Sequence, residues 1–181
     1  MKGFIVILIF LFITNFSFSQ MDPFDSLKMV NVIHNNKMIK KTDLDKVEKL
    51  IVDYINGYRK SKGKNVLTYS SELSLVGRKW ADSLVKEAVL SELGVLRLRH
   101  TPNNPYIENC HAEARYIYFN KLDADFFYIE TPKSVYEGWF NSKGHNAGML
   151  MNGLSIGVGV SFGISTDGQM FSVAVMEIKY K

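Results

Sequence analysis

Residues 137–150 have the sequence Glu-Gly-Trp-Phe-Asn-Ser-Lys-Gly-His-Asn-Ala-Gly-Met-Leu, and they indicate the fold more clearly than any other stretch of the chain. His145 is expected there in an exposed, glycine-marked turn between two helix-like segments, with Gly144 supplying the turn. A second histidine, His100, lies in a loop-like segment ahead of Glu108. Residues this far apart form a site only if the fold brings them together, so the surrounding elements must be identified first.

Two amphipathic helices are predicted ahead of this stretch. The first begins at Thr42, because Asp45 three residues on resembles a capping box and apolar residues then recur at spacings of three and four. The second has Ser70 or Ser71 as its N-cap and continues to about Val89. Both helices carry an apolar stripe, which indicates packing against a core.

The segment between these helices and the C-terminal tail is less regular. Residues 90–107 lose the helical period and contain two prolines and two asparagines, which indicates a loop of the kind that often carries function. Residues 112–119 are rich in strand formers toward their end, although their first three residues are also tolerated in a helix. Thr131-Pro132 is a suitable N-cap and first-turn pair for a short helix with Trp139 on its apolar side.

The tail of the chain predicts an antiparallel β-hairpin. Apolar residues alternate in 156–162 and again in 171–178, with the turn signal Asp167-Gly168 between them. Apolar residues occupy both faces of the second strand, so that strand is expected to be covered on both sides. Helices followed by a two-sided sheet, with a short helix between, predict an α+β fold: a three-layer α-β-α sandwich with a central, mainly antiparallel sheet.

The N-terminus and the net charge indicate the cellular setting. Residues 1–19 combine Lys2, an apolar run and small residues near their end, which predicts a secretory signal cleaved before Gln20. An uncleaved anchor is the alternative, but the apolar run falls short of the roughly 18 clean apolar residues that a membrane span requires. We expect no transmembrane segment after cleavage. Removing Lys2 lowers the formal charge from +4 to +3, which is spread along the chain and does not favour nucleic acid as a partner.

The mature chain is expected to consist of an N-terminal arm, residues 20–41, and one domain, residues 42–181. Cys110 is its single cysteine, so an internal disulfide is excluded, and the thiol of a lipoprotein anchor is missing from its usual place. The domain must therefore be held together by its core, in which we expect Cys110 as a small buried hydrophobe.

Three further residues have predicted surroundings. Trp80 and Trp139 are expected in the core, because large aromatic side chains on helix stripes usually pack there. His111 follows Glu108 by three residues, so on a regular strand it turns to the opposite face, where we expect it at the surface.

These pieces, in this order, resemble the CAP superfamily, also called the SCP domain, in the form of a bacterial-type secreted member. The superfamily includes cysteine-rich secretory, antigen-5 and pathogenesis-related proteins. The resemblance extends from about Val47 to Ile178. It rests on Ile55-Asn56-Gly57-Tyr58-Arg59, Gly63, Leu67, Leu73, Ala81, His100, Glu108-Asn109, residues 139–145 and residues 156–160.

The resemblance implies a cavity in which two histidines face two acids and in which a divalent metal, often zinc, can bind. Carried over by position, the histidines are His100 and His145 and the first acid is Glu108. The position of the second acid holds Ser142, as in many bacterial relatives. Glu137 lies five residues earlier, about 140° around a helix axis, so it is expected to point elsewhere. The sequence also departs from the bacterial pattern at Asn146 and Gly148, where bacterial relatives tend to carry arginine and asparagine.

Two interpretations of these residues remain open. In the first, the neutral imidazoles of His100 and His145 bind Zn²⁺ weakly, since catalytic zinc normally has about three protein ligands, while Glu108 contacts a bound water. Cys110 could be a third ligand. In the second, the same polar groups form a hydrogen-bonded cluster that fastens the loop of residues 90–107 to the sandwich.

The function predicted from these observations is a non-catalytic scaffold, secreted or periplasmic, that binds a ligand or partner at a cavity of His100, Glu108, Ser142 and His145. The partner would be a small ligand, such as a lipid or a glycan, or an extracellular protein. The alternative is a zinc-dependent, protease-like hydrolase using the same cavity. An enzyme is less favoured, because the second acid is absent and no nucleophile is visibly paired with a base.

Overall fold

The computed structural model describes residues 41–91, 95–116, 131–164 and 169–180. The predicted signal, residues 1–19, and the predicted arm up to residue 40 lie outside the described residues. Within the described ranges, no helix has the length and apolar character needed to cross a membrane.

The described chain forms four helices and four strands. The helices are α1 (Lys41–Ser61), α2 (Ser71–Leu90), α3 (Thr131–Asn141) and α4 (Lys143–Met149), and the strands are β1 (Thr68–Tyr69), β2 (Ile107–Tyr116), β3 (Ser155–Ile164) and β4 (Gln169–Lys179). The sheet has the order β1-β3-β4-β2. Only β1 and β3 pair in parallel, so the sheet is mainly antiparallel, as predicted.

Two apolar clusters lie on opposite faces of the sheet and define the layers. One face packs against α2, together with residues of β2 and β4 such as Cys110 and Val175. The other face packs against α1, α3 and the end of α4, with fully buried Trp139 at its centre. The three-layer α-β-α sandwich is therefore confirmed, and so are the buried positions of Trp139 and Cys110.

The predictions for α1, α2 and the hairpin agree with the structure to within one or two residues, whereas β2 begins at Ile107, five residues before the predicted strand of residues 112–119. Helix α1 begins one residue before Thr42, and α2 ends one residue after Val89. Ser70 is the N-cap of α2, since its hydroxyl accepts a hydrogen bond from Leu73 N at 3.3 Å. Strands β3 and β4 form the predicted hairpin, from the Ser155–Lys179 pair inward, while its turn signal at 167–168 lies outside the described residues.

The close approach of α2 to the sheet depends on glycines in β3. A Cβ atom built on Gly159 would lie 1.8 Å from the backbone nitrogen of Arg78, and one on Gly157 would lie 2.2 Å from that of Ser74. Only glycine leaves room for helix backbone at this distance.

Side chains cap the outer edge of β3 where the short β1 no longer covers it. Val158 N donates to the hydroxyl of Ser74 at 3.1 Å, and Val160 N donates to buried Glu48 at 3.0 Å. Arg78 holds Glu48 with two hydrogen bonds of 2.7 and 2.5 Å. Burial raises the pKa of Glu48, while Arg78 opposes that effect. The edge is thus closed to pairing with another strand.

The first-helix string of the family resemblance has a structural role. Arg59 is buried and donates to the carbonyl oxygens of Asn65, Met149 and Met151, the last two at 2.7 Å. Asn56 exchanges two hydrogen bonds with the backbone of Leu67. These contacts fasten the end of α1 to the end of α4 and so fix the segment that carries His145.

Candidate functional site

The segment of residues 95–106, which we call the His100 loop, lies against β2 on the side of α2. Trp80 of α2 donates its indole N–H to the carbonyl oxygen of Arg99 at 3.0 Å, and the Arg99 guanidinium lies over the indole ring, 5.3 Å from its centroid. Arg99 also pairs with Glu87 at 2.5 Å. Trp80 is half-buried and packs against the core cluster beneath α2, so it lies at the margin of the core rather than fully inside it as predicted. Its polar N–H needs a partner, which the loop backbone supplies at the margin of the core.

The carboxylate of Glu108 lies at the centre of the site and is almost wholly protein-bound. Its side chain is 4% exposed. Thr101 N donates to both of its oxygens at 3.0 and 3.2 Å, and the Asn104 amide donates at 2.6 Å. His100 Nδ1 lies 2.9 Å from Oε1. Burial acts to raise the pKa of Glu108, but the hydrogen bonds from Thr101, Cys110 and His100 outweigh it and hold that pKa below its usual value.

His100 is positioned by this carboxylate yet faces outward, with its side chain 70% exposed. A carboxylate accepts hydrogen bonds only, so Nδ1 carries the proton that points to ionised Glu108. In the neutral ring, Nε2 is then left as an acceptor directed away from Glu108. The geometry therefore presents one imidazole nitrogen of fixed orientation to a ligand.

Cys110 adds a second neighbour to Glu108. Its sulfur lies 3.2 Å from Glu108 Oε1 in a buried position. Burial raises the pKa of the thiol, and the negative charge of Glu108 raises it further. The thiol is protonated at neutral pH and is a hydrogen-bond donor here, not a nucleophile.

Glu177 is an acid of this site that the sequence analysis did not identify. It pairs directly with Glu108 across β2 and β4 and is 0% exposed. Asn104 Nδ2 lies 2.9 and 3.1 Å from its two oxygens. Burial raises the pKa of Glu177 to about 8, and the charge of Glu108 adds to that rise while the bond from Asn104 opposes it. An acid within a strand that is apolar on both faces was the signal that could have revealed it.

His145 lies in α4, and the structure does not bring it into contact with Glu108. Asn109, which points away from the Glu108 face, donates to the carbonyl oxygen of His145 at 2.8 Å. Burial lowers the pKa of His145, and the nearby His111 and His100 lower it further, so the ring is neutral at pH 7. The expected turn at Gly144 is wrong: the helix break falls at Ser142, in extended conformation, and needs no glycine.

His111 turns to the opposite strand face from Glu108, as predicted, but it is not a surface residue. Its side chain is 18% exposed and lies 3.4 Å from Glu113. A Cβ atom on Gly138 would lie 2.2 Å from the ring of His111, so α3 covers it. The predicted surface position is wrong because a helix packs on this face of the edge strand.

Ser142 occupies the N-cap position of α4. Its carbonyl oxygen accepts Asn146 N at 2.8 Å, while its hydroxyl makes no capping hydrogen bond. The Asn146 side chain links Tyr58 Oη to the carbonyl oxygen of Phe140. Glu137 is exposed and lies 3.9 Å from the ammonium group of Lys133, so it points away from the site as expected.

The donor atoms do not fit a zinc site with three ready ligands. Among the residues that the structure describes, His100, Glu108 and Cys110 bring one potential ligand atom each to within 4.8 Å of one another. However, the oxygens of Glu108 are taken up by protein donors and the thiol of Cys110 is protonated. His145 does not belong to this group. Zinc normally requires about three available ligands, and this arrangement offers the imidazole of His100 alone.

Comparisons with known proteins found one matching family model and similar solved structures. A protein-family model described as CAP, the cysteine-rich secretory protein family, matches residues 52–176. A search of solved structures found an outer surface protein of Borrelia burgdorferi, with 18% sequence identity and a TM-score of 0.44, covering 78% of this chain and 95% of that chain. No curated protein matched the chain.

Proposed function

Because this chain belongs to the CAP family, the cysteine-rich secretory proteins, we propose that it is a secreted, non-catalytic scaffold that binds its partner at the His100 loop. The N-terminal residues 1–19 have the composition of a secretory signal, which supports a location outside the cytoplasm, in the periplasm or beyond the cell. The family supplies the scaffold, and we place the binding surface at the His100 loop.

One observation carries the proposal: the carboxylate oxygens of Glu108 are occupied by hydrogen bonds from other groups of the protein. A general base needs a free lone pair directed at its substrate or at a water. Glu108 instead accepts hydrogen bonds from Thr101, Asn104 and His100, which fix the loop. Its role is to orient His100, and no hydrolytic step follows from this geometry. The zinc-dependent hydrolase therefore has no support in the donor set.

The chemistry of the ligand follows from what the site presents. The exposed ring of His100 offers a hydrogen-bond acceptor, and His145 lies near enough to it for His100 to contribute to the lowered pKa of His145. We propose a ligand with hydroxyl or amide donors, such as a glycan fragment, a hydroxylated lipid or a protein backbone. An unprotonated imidazole nitrogen accepts a hydrogen bond from such donors and offers none to an anion.

Zinc titration by calorimetry on the purified protein tests this function. The wild type and a His100→Ala/His145→Ala variant are compared, with His111→Asn as a matched control for the third histidine of the region. We expect no saturable one-to-one binding at micromolar zinc. Saturable binding by the wild type and by His111→Asn that disappears in the folded double variant would contradict the proposal and restore the metal-dependent alternative.

Side-chain NMR of the histidines tests the binding role itself. A chitin oligosaccharide and sterol-containing vesicles serve as hydroxyl-bearing probes, and bovine albumin serves as an unrelated protein for comparison. We expect the Nε2 signal of His100 to shift with one of the hydroxyl-bearing probes, and His100→Ala to lose that binding. Equal weak shifts of all histidines with every probe would contradict a site at His100.

A further inference from the structure

Two buried carboxyl groups face each other on the α2 side of the sheet. Glu108 and Glu177 are directly opposed on β2 and β4, at 4% and 0% exposure. Among the described residues, no lysine or arginine forms an ion pair with Glu177. Two adjacent carboxyls without a cation are held together only if one of them keeps its proton or a polar group bridges them.

Asn104 of the His100 loop is that bridge. Its amide nitrogen contacts Glu108 at 2.6 Å and Glu177 at 2.9 Å, and its amide oxygen accepts Tyr106 N at 3.1 Å. Both ends of the side chain are therefore occupied. The loop is attached to the sheet at this point and through Thr101, whose N–H donates to the same carboxylate.

We propose that Glu177 is the positioning residue of the binding site. Together with Glu108 it accepts hydrogen bonds from the Asn104 amide, and these bonds hold the loop that presents His100. This proposal rests on the binding role proposed above, since it concerns the regulation of the same loop. Loss of the proton from Glu177 places a second negative charge beside ionised Glu108 and weakens the attachment of the loop. The site is accordingly built to loosen as the pH rises.

The groups facing Glu177 from the neighbouring elements support this direction. On β2 they are Glu108 and Cys110. The negative charge of Glu108 disfavours a second charge on Glu177, and the protonated thiol of Cys110 carries no charge that would stabilise it. On β3 the paired residue is Gly157, which has no side chain and lies under Leu73 of α2. The loop contributes the neutral Asn104.

The pH range follows from linkage. The pKa of Glu177 is about 8 in the closed site, against an ordinary value of 4.5 for a solvated glutamate. Closure therefore binds a proton between these values. A group with a raised pKa stabilises the closed state fully at pH values below its ordinary pKa. This stabilisation is lost as the pH rises to about 8, and above that pH the opening constant no longer changes. The equilibrium constant for opening rises by up to about tenfold per pH unit in this window.

Hydrogen exchange of the Thr101 amide measures the opening without any ligand. The wild type is compared with Glu177→Gln, in which the amide replaces the protonated acid, at pH values from 5.5 to 9. We expect the opening constant of the wild type to rise up to the tenfold-per-unit limit and to level off near pH 8, and that of Glu177→Gln to lack this component. His100 is present in both proteins, so the difference between them isolates Glu177.

Asn104→Ala provides a second variant, because it separates Glu177 from the loop. We expect its Thr101 exchange to be fast and to lose the dependence on Glu177. If the opening constant at Thr101 depends on pH equally in the wild type and in Glu177→Gln, the proposal is overturned. It is also overturned if the opening constant at Val175, in the core of β4, depends on pH as steeply as that at Thr101, because this would indicate global unfolding. Ligand binding is not part of this measurement, so failure of the binding role would leave the result interpretable.

Discussion

Replacement of Glu48 by alanine should be among the most damaging single changes in this domain. The carboxylate of Glu48 performs two tasks in a buried position: it accepts the otherwise unpaired Val160 N–H on the edge of β3, and it forms a two-point ion pair with Arg78. Alanine removes both. The N–H has no strand beyond it to take over, because β1 pairs only with the first two residues of β3.

The expected cost can be built from these contacts. A buried donor left without a partner costs about 1–3 kcal/mol, and removal of one member of a buried ion pair costs about 3–5 kcal/mol. The two values overlap, and Arg78 keeps Asp45 at 2.5 Å as a second partner, so we expect a net loss of about 3 kcal/mol. Domains of this kind have about 5–15 kcal/mol of total stability, so the variant should still fold.

Urea unfolding followed by circular dichroism measures this loss. With a typical slope of about 2 kcal/mol per molar urea, the midpoint should fall by about 1.5 M. Asp45→Ala is the matched control: Asp45 contacts the same arginine, but its side chain is 50% exposed, so its removal should cost less than about 1 kcal/mol. Equal midpoints for wild type and Glu48→Ala would refute the assignment of Glu48 as the cap of the β3 edge.

Three other predictions address different parts of the molecule. Arg59→Met should lower the stability by about 2–4 kcal/mol in urea unfolding, because it leaves the carbonyl of Met149 without its buried donor. Glu108→Gln should remove a loss of stability that the wild type shows in acid. Because the pKa of Glu108 is lowered by folding, its carboxylate stabilises the wild type at pH values above the ordinary pKa of glutamate, and this contribution is lost as the pH falls below that value. The urea midpoints of the two proteins should therefore converge only in acid. Gly57→Ala should raise the thermal midpoint, since nothing lies within 4 Å of the added methyl and alanine favours a helix by about 1 kcal/mol, whereas Gly159→Ala should prevent folding, as judged by circular dichroism.

The elements of this fold could be predicted because their signals are local. The capping serine of α2, the apolar period of α1 and the alternation of the hairpin each act within a few residues, and each agrees with the structure. The sandwich followed from the two-sided strand β4. Asn104, by contrast, is one polar residue in an irregular loop, and its role depends on partners 4 and 73 residues away. No local pattern contains that information.

The error at His111 has its physical cause in the position of β2 at the edge of the sheet. An edge strand has one face toward each helical layer, so alternate residues serve different surroundings. Asn109 and His111 meet α3 and α4, while Glu108 and Cys110 meet the His100 loop and α2. Sequence spacing correctly placed His111 on the opposite face from Glu108. It did not reveal that both faces of the edge are covered.

This division between faces also explains why the chain has an acid pair without an acid at position 142. Ser142 lies at the start of α4, on the side of the sheet where Asn109 holds the His145 segment. Glu177 lies on the other side, opposite Glu108 and beneath the His100 loop. Glu177 accepts hydrogen bonds from Asn104 and, through it, acts on the loop. The second acid of this site therefore controls the position of the loop, and His100 gains a fixed orientation from a carboxylate that remains bound to the protein.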